Sequence, residues 1–287
     1  MNLLPFIASG LGIGAVYALS GVGLVLLFRA TGVFNLAFGA LGAVGAHLAW
    51  WLAERIDLSL ACLCGIAATT LLSFLYGRLI APLVAYRDMV VRSVATLGLA
   101  LILLGAMGYV WGETPRRLSF PTDRLYVDLF GTRLTYTRLI ALLLALATVS
   151  GVTLTMARTR LGLAMRALAN DRDLSALIGI RIIEVETAAW LITGVFAGFS
   201  GLLLGNLARL QGQLLTFLIV PAIAAAILGR LRSLSLTAAA GIAIGVVEAM
   251  LSAVPEIAPF RSAAPFVIAL IAVALQGASG TSLTSNA

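Results

Sequence analysis

The sequence predicts an all-α, polytopic membrane helix bundle of eight or nine transmembrane spans. Three observations predict it. Hydrophobic residues make up 61% of the chain and charged residues only 11%, against roughly 45–50% and about 25% in soluble domains. The mean hydropathy is +1.07, and a soluble globule of 287 residues could not hide that much apolar surface. The apolar residues also fall into runs close to the roughly 20 residues needed to cross hydrocarbon. The polar stretches between them are too short to bury a core of their own.

In chain order the runs are Leu3–Phe28, Gly32–Leu52, Leu58–Ile80, Ser93–Trp111, Leu139–Ala157, Ala188–Leu207, Leu214–Gly229, Leu234–Val254 and Ser262–Gln276. The first has no basic residue before it and runs on too far for a cleaved leader, so it reads as a retained span. The second opens as TGVFNLAFGALGAVG, where Asn35 precedes Gly39, Gly42 and Gly45. That pattern suggests a helix start or an unwound stretch. The Asn35 amide either caps a helix or meets a polar group of a substrate. His47, the sole histidine, sits in the same run and reads as a hydrogen-bonded packing residue. Cys62 and Cys64 lie two apart in the third run, a spacing that does not face them on a helix. No cluster has metal-ligand spacing, so neither a metal nor another cofactor is expected.

The segment Gly112–Thr137, with Pro115, Pro121 and Gly131, reads as an outer loop with a short hairpin from Leu125 to Leu134. Pro221 interrupts the seventh run, which suggests a broken or partly re-entrant helix of the kind tolerated along a protein cavity. Glu248 lies within the eighth run, and an intramembrane carboxylate is by default a functional hypothesis. Its alternatives are a place in the path or in helix–helix bonding, and a solvated position near the outer rim. Residues 1–277 are expected to form a single transmembrane domain, with Ala278–Ala287 a short disordered tail. The pairs Gly10/Gly14, Gly194/Gly198, Gly201/Gly205 and Gly241/Gly245 place small residues on one helix face, where backbones can approach closely.

The formal charge is +7, and every basic residue is an arginine. These arginines lie in the loops, where they orient the protein and do not point to nucleic acid. Placing the 158–181 loop inside puts Arg29, Arg78, Arg87 and Arg92 inside with it, leaves the N-terminus outside and brings the C-terminus into the cytoplasm. The absence of lysine excludes a Walker A loop and a Schiff base. Any ATP used must be hydrolysed by another polypeptide. No constellation of nucleophile, base and metal suggests an enzyme.

The remaining feature is the polar stretch RTRLGLAMRALANDRDLSALIGIRII, Arg158–Ile183. Leu163, Ala167, Ala176, Leu177 and Ile180 alternate with Arg166, Asp171 and Arg172 at helical spacing. Short helices outside the bilayer with one apolar face would follow, suited to docking a partner. The plainer alternative is a solvated connector whose ion pairs contribute little.

Four stretches together resemble the membrane subunits of ABC importers for branched-chain and other hydrophobic amino acids, the LivH type. They are Thr31–His47, Ser93–Leu103, Thr159–Ile180, and Val220–Gly229 with Ala240–Leu251. The third is the most specific, with its Gly162, Arg166 and Ala167 core followed by Asp171, Ala176 and Gly179. Two departures stand out. Phe38 and Ala40 occupy places where the family often has a polar or acidic pair, and Gly229-Arg230-Leu231-Arg232-Ser233 stands where the family often reads GGxGS.

The resemblance implies a multi-pass permease of the bacterial inner membrane with no catalysis of its own. The loop would carry a coupling helix resting on an ATP-binding cassette subunit, through Thr159, Gly162, Arg166, Ala167, Asp171, Ala176 and Gly179. The implied partners are ATP-binding subunits, a second related permease and a periplasmic substrate-binding protein, with membrane lipid around the bundle. Candidate pathway residues are Asn35, Phe38, Gly39, Thr96, Gly98, Pro221 and Glu248. The alternative is a stand-alone secondary transporter or channel for a small solute, for which only Glu248 offers an intramembrane charge.

Overall fold

The computed structural model describes residues 4–129, 132–217 and 219–278. Its helices are α1 (Leu4–Thr31), α2 (Phe38–Ala53), α3 (Leu58–Leu75), α4 (Met89–Trp111), α5 (Tyr136–Arg158), α6 (Arg160–Asn170), α7 (Arg172–Leu177), α8 (Ile182–Leu207), α9 (Gly212–Phe217), α10 (Ile219–Leu228), α11 (Leu234–Leu251) and α12 (Ala264–Ala278). Six helical stretches are long and apolar enough to cross a membrane: Leu4–Thr31, Leu58–Val84, Met89–Trp111, Tyr136–Arg158, Ile182–Leu207 and Leu234–Leu251. The all-α polytopic class is therefore the observed one.

Several boundaries differ from the sequence reading, each for a local reason. The second run begins at Phe38, not Gly32, because residues 33–37 are unwound between α1 and α2. The third continues beyond α3 through a π-helical turn, Tyr76–Ile80, and a 3-10 turn, Ala81–Val84. The sixth starts at Ile182, not Ala188, so Glu184 and Glu186 belong to the helix. Pro221 falls in the first turn of α10, where a missing N–H removes no intrahelical bond. Leu218, between α9 and α10, lies outside the described residues, as do residues 279–287 of the expected tail.

The chain divides into two compact units. The first comprises Met1–Val25, Ser119–Thr153 and Val220–Ala287. In it α1 and α11 meet along their paired glycines. A Cβ on Gly10 would come within 2.6 Å of Val246 Cα, and one on Gly241 within 2.5 Å of Ala18 N. The contact is thus backbone against backbone, which only small residues allow in lipid. Strands β1 (Tyr126–Leu129) and β2 (Thr132–Thr135) form the expected antiparallel hairpin, with Tyr126 opposite Thr135 and Leu129 opposite Thr132. Its base is tied by the Thr137 hydroxyl, which donates to Asp123 Oδ1 (2.6 Å).

The second unit comprises Leu26–Leu118 and Leu154–Ile219. Its core is α2, α3 and α8, again joined through glycines. A Cβ on Gly65 would meet Gly45 O at 2.5 Å, one on Gly194 would meet Ser73 Cβ at 2.7 Å, and one on Gly42 would meet Ala197 O at 2.7 Å. His47 is buried, with Nδ1 2.8 Å from Ala43 O, the packing role its sequence context suggested. Segment 116–118 is anchored to α8 and the stretch after it: Arg116 and Leu210 exchange backbone hydrogen bonds, and Asn206 Nδ2 donates to Leu118 O (2.9 Å).

Candidate functional site

Two regions of the second unit hold the predicted residues that share a neighbourhood. The first is the unwound segment between α1 and α2. Backbone that leaves a helix at membrane depth must find other hydrogen-bond partners, and α4 supplies them through two hydroxyls. Phe34 N–H donates to Ser93 Oγ (3.2 Å) and Leu36 N–H to Thr96 Oγ1 (2.9 Å). The Thr96 hydroxyl donates to Ser93 O at 2.7 Å, with Phe34 O at 3.1 Å. Arg92 Nη1 donates to Thr31 O (2.9 Å) and so closes the end of α1.

Asn35 is 1% exposed within this segment. Its Oδ1 accepts from Ala37 N–H (3.1 Å), so the side chain steadies the turn into α2. Its Nδ2 is buried without a hydrogen-bond partner. Sequence reasoning offered capping and substrate contact as alternatives. One end of the amide performs a turn-closing role, and the other remains available to an acceptor. Phe38 is buried beside it, and Gly39 lies against α9, where a Cβ would meet Thr216 O at 2.5 Å. Asn35, Phe38, Gly39 and Thr96 are therefore brought together. Gly98 is not among them: it is exposed on α4, and a Cβ there would meet nothing within 4 Å.

Pro221 and Glu248 belong to the first unit. Glu248 is neither free nor fully solvated, since Tyr17 Oη donates to its Oε2 (2.8 Å). The carboxylate thereby joins α11 to α1, the helix-bonding role weighed for it.

The second region is the arginine loop, which forms the two short helices α6 and α7. Thr159 is the N-cap of α6, its Oγ1 accepting from Gly162 N–H (3.1 Å). Asp171 ends α6 and caps α7, its Oδ1 accepting from Leu174 N–H (2.9 Å). Such caps each contribute about 1 kcal/mol. Gly162 sits where a Cβ would come within 2.5 Å of Met156 Cα, so α6 folds tightly back on the end of α5. Gly179 has φ +87°, a left-handed conformation that glycine adopts without strain.

Along α6 the buried positions are Gly162, Met165 and Leu168. Arg166 and Ala176 are exposed and Ala167 is half-buried. The loop also exposes large apolar side chains: Leu163 at 62%, Leu177 at 84% and Ile178 at 68%. Of the expected apolar residues, Leu163, Ala176 and Leu177 are uncovered in this chain alone, whereas Ala167 and Ile180 are half-buried; Arg166 lies on the same short helix as Leu163.

Sequence reasoning missed what seats this loop. Arg172, at the start of α7, forms an ion pair with Glu186 near the start of α8. Glu186 is 6% exposed. The available signal was a second carboxylate inside an apolar helix, obscured because the span was read as starting at Ala188. Among the described residues no group of three or more His, Cys, Asp or Glu is placed to hold a metal ion.

Comparison with known proteins concerns the chain as a whole. The family described as branched-chain amino acid transport system / permease component matches residues 6–275. The chain is 24% identical over 266 residues to the high-affinity branched-chain amino acid transport system permease protein BraD of Pseudomonas aeruginosa, covering 86% of each chain. It is 28% identical over 249 residues to the probable branched-chain amino acid transport permease protein LivH of Methanocaldococcus jannaschii, covering 82% of this chain and 76% of that one. It is 22% identical over 261 residues to LivH of Escherichia coli K12, covering 85% and 84%. Among solved structures, PsaBC from Streptococcus pneumoniae in complex with Fab aligns over 95% of this chain and 91% of that chain, with 14% identity and a TM-score of 0.49.

Proposed function

We propose a specific role for this chain, which belongs to the branched-chain amino acid transport system permease family: it is the translocating subunit of an ATP-driven importer, working through a partner ATPase. As a permease component it is a multi-pass inner-membrane protein and not an enzyme. The cargo is a branched-chain or related amino acid, the class named for its relatives. The partners are ATP-binding cassette subunits at the α6–α7 loop, a second related permease and a periplasmic substrate-binding protein. Residues 1–277 act as one permease domain, with the N-terminus outside and the loop and C-terminus in the cytoplasm.

One observation carries this reading. The α6–α7 loop is internally capped and seated on α8, yet it leaves Leu163, Leu177 and Ile178 uncovered. Large apolar side chains left exposed on a polar connector suit an interaction surface. A partner ATPase would move the loop, and α8 would follow through the Arg172–Glu186 pair and the α6 contacts. In the turn between α1 and α2, Asn35 Nδ2 is an unpartnered donor suited to a substrate carboxylate or carbonyl. In the assembled importer, Arg166→Glu is expected to leave membrane insertion intact and to abolish uptake while ATP hydrolysis loses its dependence on substrate. Unchanged uptake with normally stimulated hydrolysis would remove the loop from coupling.

A further inference from the structure

A cleft in the second unit holds more hydrogen-bond donors than the protein satisfies. Its polar walls are Tyr76, Arg92, Arg172, Glu186 and Trp190. Among the described residues, four buried side-chain atoms lack a hydrogen-bond partner, and three of them belong here: Tyr76 Oη, Arg92 Nε and Trp190 Nε1. Tyr76 is 3% exposed and Trp190 1%, and their rings meet at 54° with centroids 4.8 Å apart. All three orphaned atoms carry N–H or O–H groups. A buried donor left unmade is costly, so such a group points to a missing partner.

The chemistry of that partner follows from charge. The cleft has two guanidiniums and one carboxylate, and Arg172 already engages the carboxylate of Glu186. What is missing is an acceptor, and Arg92, which has Glu186 and Asp88 nearby but forms no ion pair with either, favours an anionic one. In the present conformation the cleft admits about one oxygen-sized group. That is room for one oxygen of an anion whose remainder stays at the mouth.

The depth of the cleft points to the source. The helical stretch from Leu58 to Val84 has 27 residues, more than the roughly 20 that cross the hydrocarbon, so one or both of its ends reach the headgroup level, and the lining residues Ala81 and Val84 stand at its C-terminal end. Arg92 lies in the first turns of α4, which begins just beyond that stretch. Next in sequence to the lining residues Tyr76, Ala81, Val84 and Ala85, Arg78 and Arg87 are exposed, and Leu79 is 61%, Leu83 81% and Tyr86 99% exposed. Exposed arginines and apolar side chains flanking the lining suit a lipid bearing a negative headgroup. The π-turn at Tyr76–Ile80 builds the wall, and Gly77 allows Trp190 to approach, since a Cβ there would come within 2.5 Å of Trp190 Cβ.

We propose that this cleft binds the phosphate of an anionic membrane lipid. One phosphate oxygen accepts from Tyr76 Oη and Trp190 Nε1, the Arg92 guanidinium balances the charge, and the acyl chains lie over Leu79 and Leu83. Arg172 ties the site to the α6–α7 loop, so the lipid would steady the seat of that loop.

The test uses the purified full-length chain, stripped of lipid in mild detergent. It is offered an equimolar mixture of dioleoylphosphatidylglycerol and dioleoylphosphatidylcholine and read by native mass spectrometry. The expected result is one retained phosphatidylglycerol, favoured by about tenfold, with Tyr76→Phe and Trp190→Phe each lowering retention by about tenfold. The lipid-free melting temperature of Tyr76→Phe should not fall, because the hydroxyl removed was unpartnered; this keeps a binding defect distinct from a folding one. Equal retention of the two lipids, or unchanged retention in both variants, would overturn the site and leave it to buried water. Displacement of the lipid by millimolar orthophosphate would assign the cleft to a free anion and overturn the lipid as its occupant.

Discussion

Replacing Gly201 with alanine should loosen the α2–α8 contact at the centre of the second unit. An added Cβ would come within 2.6 Å of Gly42 Cα, while ordinary contact begins at 3.4 Å. The obstruction is backbone, so no side chain can turn away, and the helices must part by about 1 Å. A gap of that size forfeits about a quarter to a half of each affected dispersion contact. The neighbouring approaches of Gly194 to Ser73 and Gly198 to Ile66 on α3 would be strained together with it. Overpacking of this kind costs about 1–3 kcal/mol, offset by about 1 kcal/mol from replacing glycine within a helix. The expected net loss is about 0–2 kcal/mol. Gly98→Ala is the matched control, because a Cβ there meets nothing within 4 Å and only the helix preference remains. Equilibrium unfolding in mixed micelles of increasing dodecyl sulfate fraction should separate the two variants by about 2 kcal/mol. If Gly201→Ala were as stable as Gly98→Ala, the close backbone contact would be wrong.

Three further outcomes are expected. Arg230 and Leu231 hold φ values of 54° and 55°, where a side chain costs roughly 1–2 kcal/mol, so Arg230→Gly should raise the melting temperature in detergent; a lower value would contradict the left-handed turn. Tyr17→Phe should destabilise the first unit by about 1.5–3 kcal/mol by stranding Glu248, and adding Glu248→Leu should recover most of that loss in the same unfolding assay. Without recovery, the pair is not the link between α1 and α11. Thr159→Ala and Asp171→Ala should each weaken a cap of the loop by about 1 kcal/mol, seen as faster amide exchange confined to residues 160–177, and unchanged exchange would mean that the loop is held by its contacts with α8 alone.

The apolar runs made the helix order legible, because each segment that crosses hydrocarbon must be apolar along its length. The paired glycines foretold where helices touch, and Phe130–Gly131, which lies outside the described residues, marked a hairpin whose strands are found on either side. The Thr159 and Asp171 caps were present in the loop pattern, although their role as caps emerged only from the backbone. Other features depend on which distant segments meet. The hydroxyls of Ser93 and Thr96 satisfy an unwound backbone some 60 positions earlier in the chain, a pairing no local pattern encodes. The Arg172–Glu186 pair was hidden because a charge near a span boundary reads as solvated until the helix start is known. Arg230 occupies a position where the resembled family often has glycine, and its left-handed φ of 54° in this chain is one that glycine suits.

The most direct test of the account is amino-acid uptake into proteoliposomes holding this chain alone, compared with the chain assembled with its second permease, ATP-binding subunits and substrate-binding protein. ATP-dependent uptake of a branched-chain amino acid is expected only from the assembly, and is expected to be lost when Leu163 and Leu177 on the α6–α7 loop are both changed to glutamate. Concentrative uptake by the isolated chain, or full ATP-driven uptake with the doubly altered loop, would contradict it.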